Sequence, residues 1–235
     1  MLILEGISRR FGGLKVIDAI DLAVADGEVL GILGPNGAGK STLLNLIGGV
    51  LAPNAGRILY SGRDITRMRV WDRSRIGIGR TYQIPKPFAH MSVFENLLVA
   101  AVHGGGMSIG RAKQEVTTVL ALTGLEHRAA LPAGRLSLLD LKRMELAKAL
   151  ALRPRLLLLD EIAGGLTEAE CDGLLAIVRQ VHATGTTVIW IEHVIQALRR
   201  IATRLAVLSG GAILAEGAPD AVLADGRVKT VYLGI

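Results

Sequence analysis

Eight residues constrain this chain more than any others: Gly34-Pro35-Asn36-Gly37-Ala38-Gly39-Lys40-Ser41. Two glycines bracket four residues and are followed at once by a lysine and a hydroxyl side chain. That is the spacing of a loop that cradles phosphate groups. Glycines let successive backbone N–H groups curl around phosphate oxygens, and the N-terminus of a following helix adds partial positive charge. The flanks agree, because Val29-Leu30-Gly31-Ile32-Leu33 reads as a buried strand entering the loop and 42–47 as the helix leaving it. A glycine turn beside a core helix is the bland alternative, and the strand and helix argue against it. The stretch Gly34, Pro35, Asn36, Gly37, Ala38, Gly39, Lys40, Ser41 and Thr42 is therefore expected to bind a nucleoside triphosphate. Lys40 would reach the β- and γ-phosphates, and the Ser41 hydroxyl would ligate Mg²⁺.

Composition sets the bounds around that loop. With 235 residues, 50% of them hydrophobic, the chain can bury one substantial α/β core and a smaller lobe. No run approaches the ~18 consecutive apolar residues of a membrane-spanning helix. Residues 1–11 carry Glu5, Arg9 and Arg10, so no secretory signal is visible. Cys171 is the only cysteine, which excludes an intrachain disulfide and fits a reducing compartment. It sits at a helix start with no base beside it and reads as a packing residue. A net charge of +6 suits anionic lipid or nucleic acid, but a basic balance alone names no partner. Aromatic residues at 3% are too few for the stacking platforms of single-strand binders.

Along the chain, 2–7 and 20–24 read as antiparallel strands, with Asp26-Gly27 as a turn signal. A further strand, 57–60, ends in the Ser61-Gly62 turn. From 87 to 150 the pattern is helical, with segments at 93–102 and 112–122, the latter placing Val116, Val119 and Leu120 on one face. Gly104-Gly105-Gly106 between them reads as a flexible surface loop. Residues 155–160 form a strand buried on both faces. A helix with Leu174, Ile177, Val178 and Val181 on its stripe follows, then strands at 186–192 and 205–209 and a hairpin turn at Gly210-Gly211. The expected fold class is α/β: a P-loop NTPase core with an N-terminal antiparallel β lobe and a helical insert. One domain spans 1–235, with 1–86 and 151–235 as lobe plus core and 87–150 as the helical subdomain.

A phosphate-binding loop needs a carboxylate to hold Mg²⁺ and a group to organise the attacking water. Asp160, closing the leucine-rich strand, suits the metal through a water molecule. Glu161, next in sequence, is the candidate general base.

With these residues in place, the sequence resembles the ATP-hydrolysing subunits of ATP-binding cassette (ABC) transporters over essentially its whole length. Phe11 matches the aromatic that stacks on adenine, with Val16 an apolar neighbour. Residues 34–42 match the Walker A loop, and Gln83 the Q-loop glutamine that contacts Mg²⁺ and faces a membrane partner. Residues 156–161 match Walker B with its catalytic glutamate, and His193 the switch histidine that contacts the γ-phosphate. Singly, Phe11 reads as core, Gln83 as a loop residue and His193 as a satisfied histidine; together they stand in the family's order. The resemblance implies a RecA-like ABC ATPase fold with ATP and Mg²⁺ as ligands. It assigns Lys40, Glu161 and His193 to catalysis, and Ser41, Gln83 and Asp160 to the metal.

The runs Phe11-Gly12-Gly13-Leu14, Arg80-Thr81-Tyr82-Gln83 and Met91-Ser92-Val93-Phe94-Glu95-Asn96-Leu97-Leu98-Val99 look like uptake systems for branched-chain and other hydrophobic amino acids. Related systems take urea or short amides. Such importers imply a second, different ATPase subunit, with a homodimer as the alternative. They also imply transmembrane permease subunits and an extracytoplasmic solute-binding protein. The chain would then be cytoplasmic and peripheral on the inner face of the membrane, with no nucleic-acid partner.

Two departures from the family pattern matter. The signature reads Leu-Ser-Gly-Gly-Gln in the family and Leu136-Ser137-Leu138-Leu139-Asp140 here. In the family this helix start faces the γ-phosphate bound by the opposite subunit, which places Ser137, Leu139 and Asp140 there in trans. Loss of both glycines hinders close backbone approach. Asp140 adds a negative charge which, at ~8 Å and an effective dielectric of ~20, opposes each phosphate charge by roughly 2 kcal/mol. Ser137 and Asp140 also read as a capping-box variant, an ordinary helix start. The second departure is Ile162 where the family has proline, with Thr167 where its D-loop has an acidic residue or asparagine. The expectation is a competent Walker A and B face beside a weakened signature face.

Other classes stand as rivals. Soluble ABC ATPases of DNA repair or translation carry two cassettes or a coiled-coil insert, and this chain has neither. A P-loop GTPase or kinase is disfavoured by the lack of an Asn-Lys-x-Asp motif. A regulatory cassette that binds ATP with little turnover remains compatible with the altered signature.

Overall fold

A hairpin of two long strands opens the chain, and the computed structural model describes residues 1–233. Strands β1 (Leu2–Phe11) and β2 (Leu14–Val24) pair antiparallel, from Leu2 opposite Val24 to Phe11 opposite Leu14. Leu2, Leu4 and Ile7 of β1 and Ile20, Leu22 and Val24 of β2 are buried, the alternation of a half-buried sheet. Both strands run further than the apolar pattern indicated, because Arg9, Arg10 and Lys15 continue the pairing beyond the hydrophobic residues.

After the hairpin come β3 (Val29–Leu33), α1 (Lys40–Ile47), β4 (Ala55–Tyr60), β5 (Arg63–Asp64), α2 (Val70–Arg75) and β6 (Ile78–Arg80). The middle of the chain supplies α3 (Val93–Val99), α4 (Ile109–Thr123), α5 (Leu138–Leu150), β7 (Leu156–Asp160) and α6 (Glu168–Ala183). The remainder is β8 (Thr187–Ile191), α7 (Ile195–Arg199), β9 (Arg204–Ser209), β10 (Ala212–Gly217), α8 (Pro219–Ala224) and α9 (Gly226–Leu233). Two compact units emerge: Met1–Arg73 with the chain from Thr187 onward, and Ser74–Thr186. The second is larger than the 87–150 helical segment expected, since it takes in β6, β7 and α6.

In the first unit, β2, β1, β4 and β5 form an antiparallel sheet in that order. A second group runs β10, β9, β3, β8, with β3 parallel to both β8 and β9 and Val29 opposite Val188. Every residue of β3 and β8 is buried, as strands covered on both faces require. The Gly210-Gly211 hairpin joins β9 to β10 as expected.

Arg73 anchors the phosphate-loop helix in this unit, although its sequence context gives no hint of it. Its side chain is 1% exposed and donates only to main-chain oxygens in the contacts seen: Leu46 at 2.8 Å, Ile47 at 2.7 Å, Met68 at 3.0 Å, Ile65 at 2.5 Å and Thr66 at 3.1 Å. Leu46 and Ile47 end α1, so the guanidinium sits where the helix dipole favours a cation. Burial pulls its pKa down to about 10, which leaves it charged at neutral pH. Arg73→Met should strand several buried carbonyls and cost about 3 kcal/mol or more of stability. A shift in the urea-denaturation midpoint measures it, and an unmoved midpoint would contradict the anchoring role.

In the second unit β6 and β7 pair in parallel, Ile78 opposite Leu156, and α3, α4 and α5 pack together. Ser92 and Thr167 cap α3 and α6 with reciprocal bonds to Glu95 and Glu170. The D-loop departure at Thr167 is thus a helix cap, and Ile162 is buried at 1% exposure. The loop expected at 104–106 begins differently, since α3 runs on into a π turn over Ala100–Gly104. Ala101 is fully buried there, and a Cβ on Gly104 would stand 2.5 Å from Leu152 Cδ2, so glycine serves close packing at this point.

Candidate functional site

The phosphate-binding loop lies in the first unit. Buried β3 delivers the chain into the loop, and Gly39, at φ 101°, turns it into α1. No side chain fits at Gly39, because a Cβ there would stand 2.8 Å from the Val16 carbonyl oxygen. Val16 is thereby placed beside the loop. Lys40 opens α1 at 6% exposure, and its Nζ donates to the carbonyls of Gly34 at 2.7 Å and Pro35 at 3.1 Å. Ala38 N donates to Pro35 O at 3.2 Å, closing the turn between them. No acidic residue occupies the first turn of α1, so nothing there opposes an anion. Ser41 is exposed on that turn, while Thr42 is half-buried.

Phe11 ends β1 at 44% exposure, with the Arg9 guanidinium 4.7 Å from its ring centroid. The ring is thus presented to solvent and does not belong to the core. His193 follows β8 with its side chain 55% exposed. Fully buried Glu192 accepts from the backbone N–H groups of His193 at 3.2 Å and Val194 at 3.5 Å, fixing the turn that presents the imidazole.

The acidic pair lies in the second unit, where the fold gathers more around it than sequence reasoning named. Asp160 ends β7 at 4% exposure and pairs through Oδ2 with Arg80 Nη2 at 3.1 Å. Its backbone N–H donates to Thr81 Oγ1 at 3.1 Å. Gln83 Nε2 donates to Glu161 Oε2 at 2.6 Å. The segment from Arg80 to Gln83 therefore holds both acidic residues, Arg80 on the first carboxylate, Thr81 on that residue's backbone N–H and Gln83 on the second carboxylate. Arg80 and Thr81 were visible only as part of a motif run, since their partners lie some eighty residues away. Removing the guanidinium takes a charged partner from a desolvated carboxylate, so Arg80→Met should cost about 3 kcal/mol. Chemical denaturation reads it, and wild-type stability in the variant would show that the pair is inert.

The signature helix departs from expectation in one respect. Ser137 caps α5, its Oγ accepting from Asp140 N at 3.2 Å. The Asp140 carboxylate turns to Arg128, 3.5 Å away, and the residue is 9% exposed. The bare negative charge anticipated at this helix start is thus offset by an arginine, which reduces the repulsion expected of it. Leu139 is half-buried and Leu138 is 51% exposed, so the place of the family's glycines carries two leucine side chains.

The candidate metal donors are the Ser41 hydroxyl, the Asp160 carboxylate and the Gln83 amide, all hard oxygen groups. Among the described residues no group of three or more His, Cys, Asp or Glu gathers to hold a metal. Magnesium is ordinarily held by one or two carboxylates together with substrate phosphates and water. The donor chemistry fits that ion.

A buried strand, a glycine loop carrying a lysine at a helix start, and an acidic pair closing another buried strand define a P-loop nucleotide-binding protein. A family model described as "ABC transporter" matches residues 17–164. The chain is 31% identical to the probable branched-chain amino acid transport ATP-binding protein LivG of Methanocaldococcus jannaschii, covering 98% of this chain and 96% of the relative. It is 33% identical to the high-affinity branched-chain amino acid transport ATP-binding protein BraF of Pseudomonas aeruginosa, covering 98% and 96%. It is also 30% identical to the lipopolysaccharide export system ATP-binding protein LptB of Escherichia coli K12, covering 98% and 95%. Among solved structures, a nucleotide-free ATP-binding cassette from an ABC transporter superposes with a TM-score of 0.92 at 31% identity, over 100% of this chain and 99% of that one. CbiO1 of Clostridium perfringens, part of the ABC transporter complex cbiONQ, gives 0.85 at 28% identity, over 99% and 95%. The chain belongs to the ABC transporter ATPase family, whose members bind and hydrolyse ATP.

Proposed function

We propose that the chain is the ATP-hydrolysing subunit of an importer for branched-chain or other hydrophobic amino acids, or related small amides. The observation that carries the ATPase reading is the loop that sets buried Lys40 at the head of α1. Two relatives bearing branched-chain amino acid transport names support the substrate class. The lipopolysaccharide-export relative favours a second reading, in which the same engine serves an exporter.

In the mechanism, Phe11 stacks on adenine, with Val16 as its apolar neighbour, and the loop N–H groups from Gly34 to Thr42 receive the phosphates. Lys40 turns its ammonium to the β- and γ-phosphates. Ser41, Asp160 and Gln83 would hold Mg²⁺, which supplies charge neutralisation on the phosphates when bound. Glu161 takes the proton of the attacking water, and His193 donates to the transferring phosphoryl group.

A second ATPase subunit completes each site with its signature helix. Leucines at 138 and 139 make this chain's own signature the weaker one, so the preferred partner is a different subunit with an intact glycine signature. The pair docks on transmembrane permease subunits at the inner face of the membrane, fed by an extracytoplasmic solute-binding protein. Deleting the gene should abolish high-affinity uptake of labelled leucine, restored by the native chain and not by Glu161→Gln. Normal leucine uptake with defective lipopolysaccharide transport would shift the assignment to the exporter.

A further inference from the structure

Helix α5 buries three charged side chains, Asp140, Lys142 and Glu145. Asp140 pairs with Arg128, and Glu145 with Lys148. Lys142, 6% exposed, sends its Nζ to the main-chain oxygen of Glu161 at 3.3 Å. Glu161 stands at φ 46°, a left-handed conformation that a residue with a side chain keeps only where its surroundings hold it. Those surroundings include Gln83 on its carboxylate, and Lys142 together with Gly164 N, at 3.4 Å, on its carbonyl. One turn earlier on the same face of α5, Leu138 Cδ2 lies 3.7 Å from where a Cβ on Gly165 would stand. The first turns of α5 thus rest on the turn that follows the acidic pair, through Leu138 at one end and Lys142 at the other.

We propose that Lys142 is a positioning residue for Glu161: it fixes the glutamate's carbonyl in the left-handed turn and so presents the carboxylate for catalysis. The proposal rests on the ATPase reading above. A lysine shut away from water loses hydration, and methionine would fill the same space with no charge to desolvate. Lys142→Met therefore separates positioning from packing, and Lys142→Arg keeps a donor at the end of a long stem.

The test compares both variants with the native chain in thermal midpoint, ATP affinity, ATP turnover and amide exchange over 160–165. For Lys142→Met the expected result is a midpoint that is unchanged or raised and unchanged ATP affinity. Exchange around Glu161 should be about tenfold faster, and turnover about ten- to a hundredfold lower. Lys142→Arg should recover most of both losses. Native turnover in Lys142→Met, a loss that arginine does not recover, or a fall in midpoint and ATP affinity together would overturn the proposal. Failure of the native chain to bind ATP would instead overturn the functional reading. Exchange over 160–165 would still decide whether Lys142 holds Glu161.

Discussion

Glu161→Gln is expected to stop ATP turnover while leaving ATP bound. The amide is nearly isosteric with the carboxylate and still offers Gln83 Nε2 an oxygen to donate to, so the 2.6 Å contact seen on Glu161 Oε2 can persist. The change removes the ability to take a proton from water. General-base catalysis contributes about 10²- to 10⁴-fold, and the turnover number should fall by that amount. ATP affinity measured by titration calorimetry should stay within about twofold of native, well under the tenfold that 1.4 kcal/mol represents. Equal losses of affinity and turnover would remove Glu161 from the role of base.

Lys40→Met is expected to act at the opposite step. The ammonium is buried at the start of α1 and held against the carbonyls of Gly34 and Pro35, so it is poised over the loop that would receive phosphate. A charge-assisted hydrogen bond to an ionised group is worth about 1.5–3 kcal/mol. Two phosphates are within its brief, so ATP affinity should fall about a hundredfold. Because Lys40 also ties the loop to itself, a small loss of thermal stability is expected alongside. ATP affinity at the native level would show that the lysine is structural only.

These two residues were legible in the sequence because their signals are local. The loop spacing, the apolar run of β3 and the four leucines before Asp160 each lie within a few residues of the group they position. The contacts of Arg73, Arg80 and Lys142 could not be read for the converse reason. The carbonyls under Arg73 include residues 26 and 27 positions away, Arg80 meets Asp160 across 80 positions, and Lys142 meets Glu161 across 19. No periodicity in a single sequence encodes a cation's choice of a distant carbonyl. The hairpin of β1 and β2 was under-read in the same way, since its charged ends keep pairing after the hydrophobic pattern stops. At 104 the glycine reads as a sign of a loop in the sequence, whereas it permits close approach to Leu152 in a helical turn. Asp140 shows how a partner can change a reading built on charge alone: the residue was correctly placed at a helix start, and Arg128 then offsets much of its effect.

What survives the pairing of Asp140 is the steric part of the signature's weakness. Two leucine side chains stand where glycines would allow a backbone to approach a phosphate. The most direct measurement is ATP turnover of the purified chain across protein concentration, compared with a variant carrying Leu138→Gly, Leu139→Gly and Asp140→Gln. Slow turnover is expected of the native chain and a rise of about tenfold or more, ~1.4 kcal/mol in barrier, in the variant, abolished by adding Glu161→Gln. Brisk turnover by the native chain alone, with no gain in the variant, would contradict it and make this chain a self-sufficient homodimer.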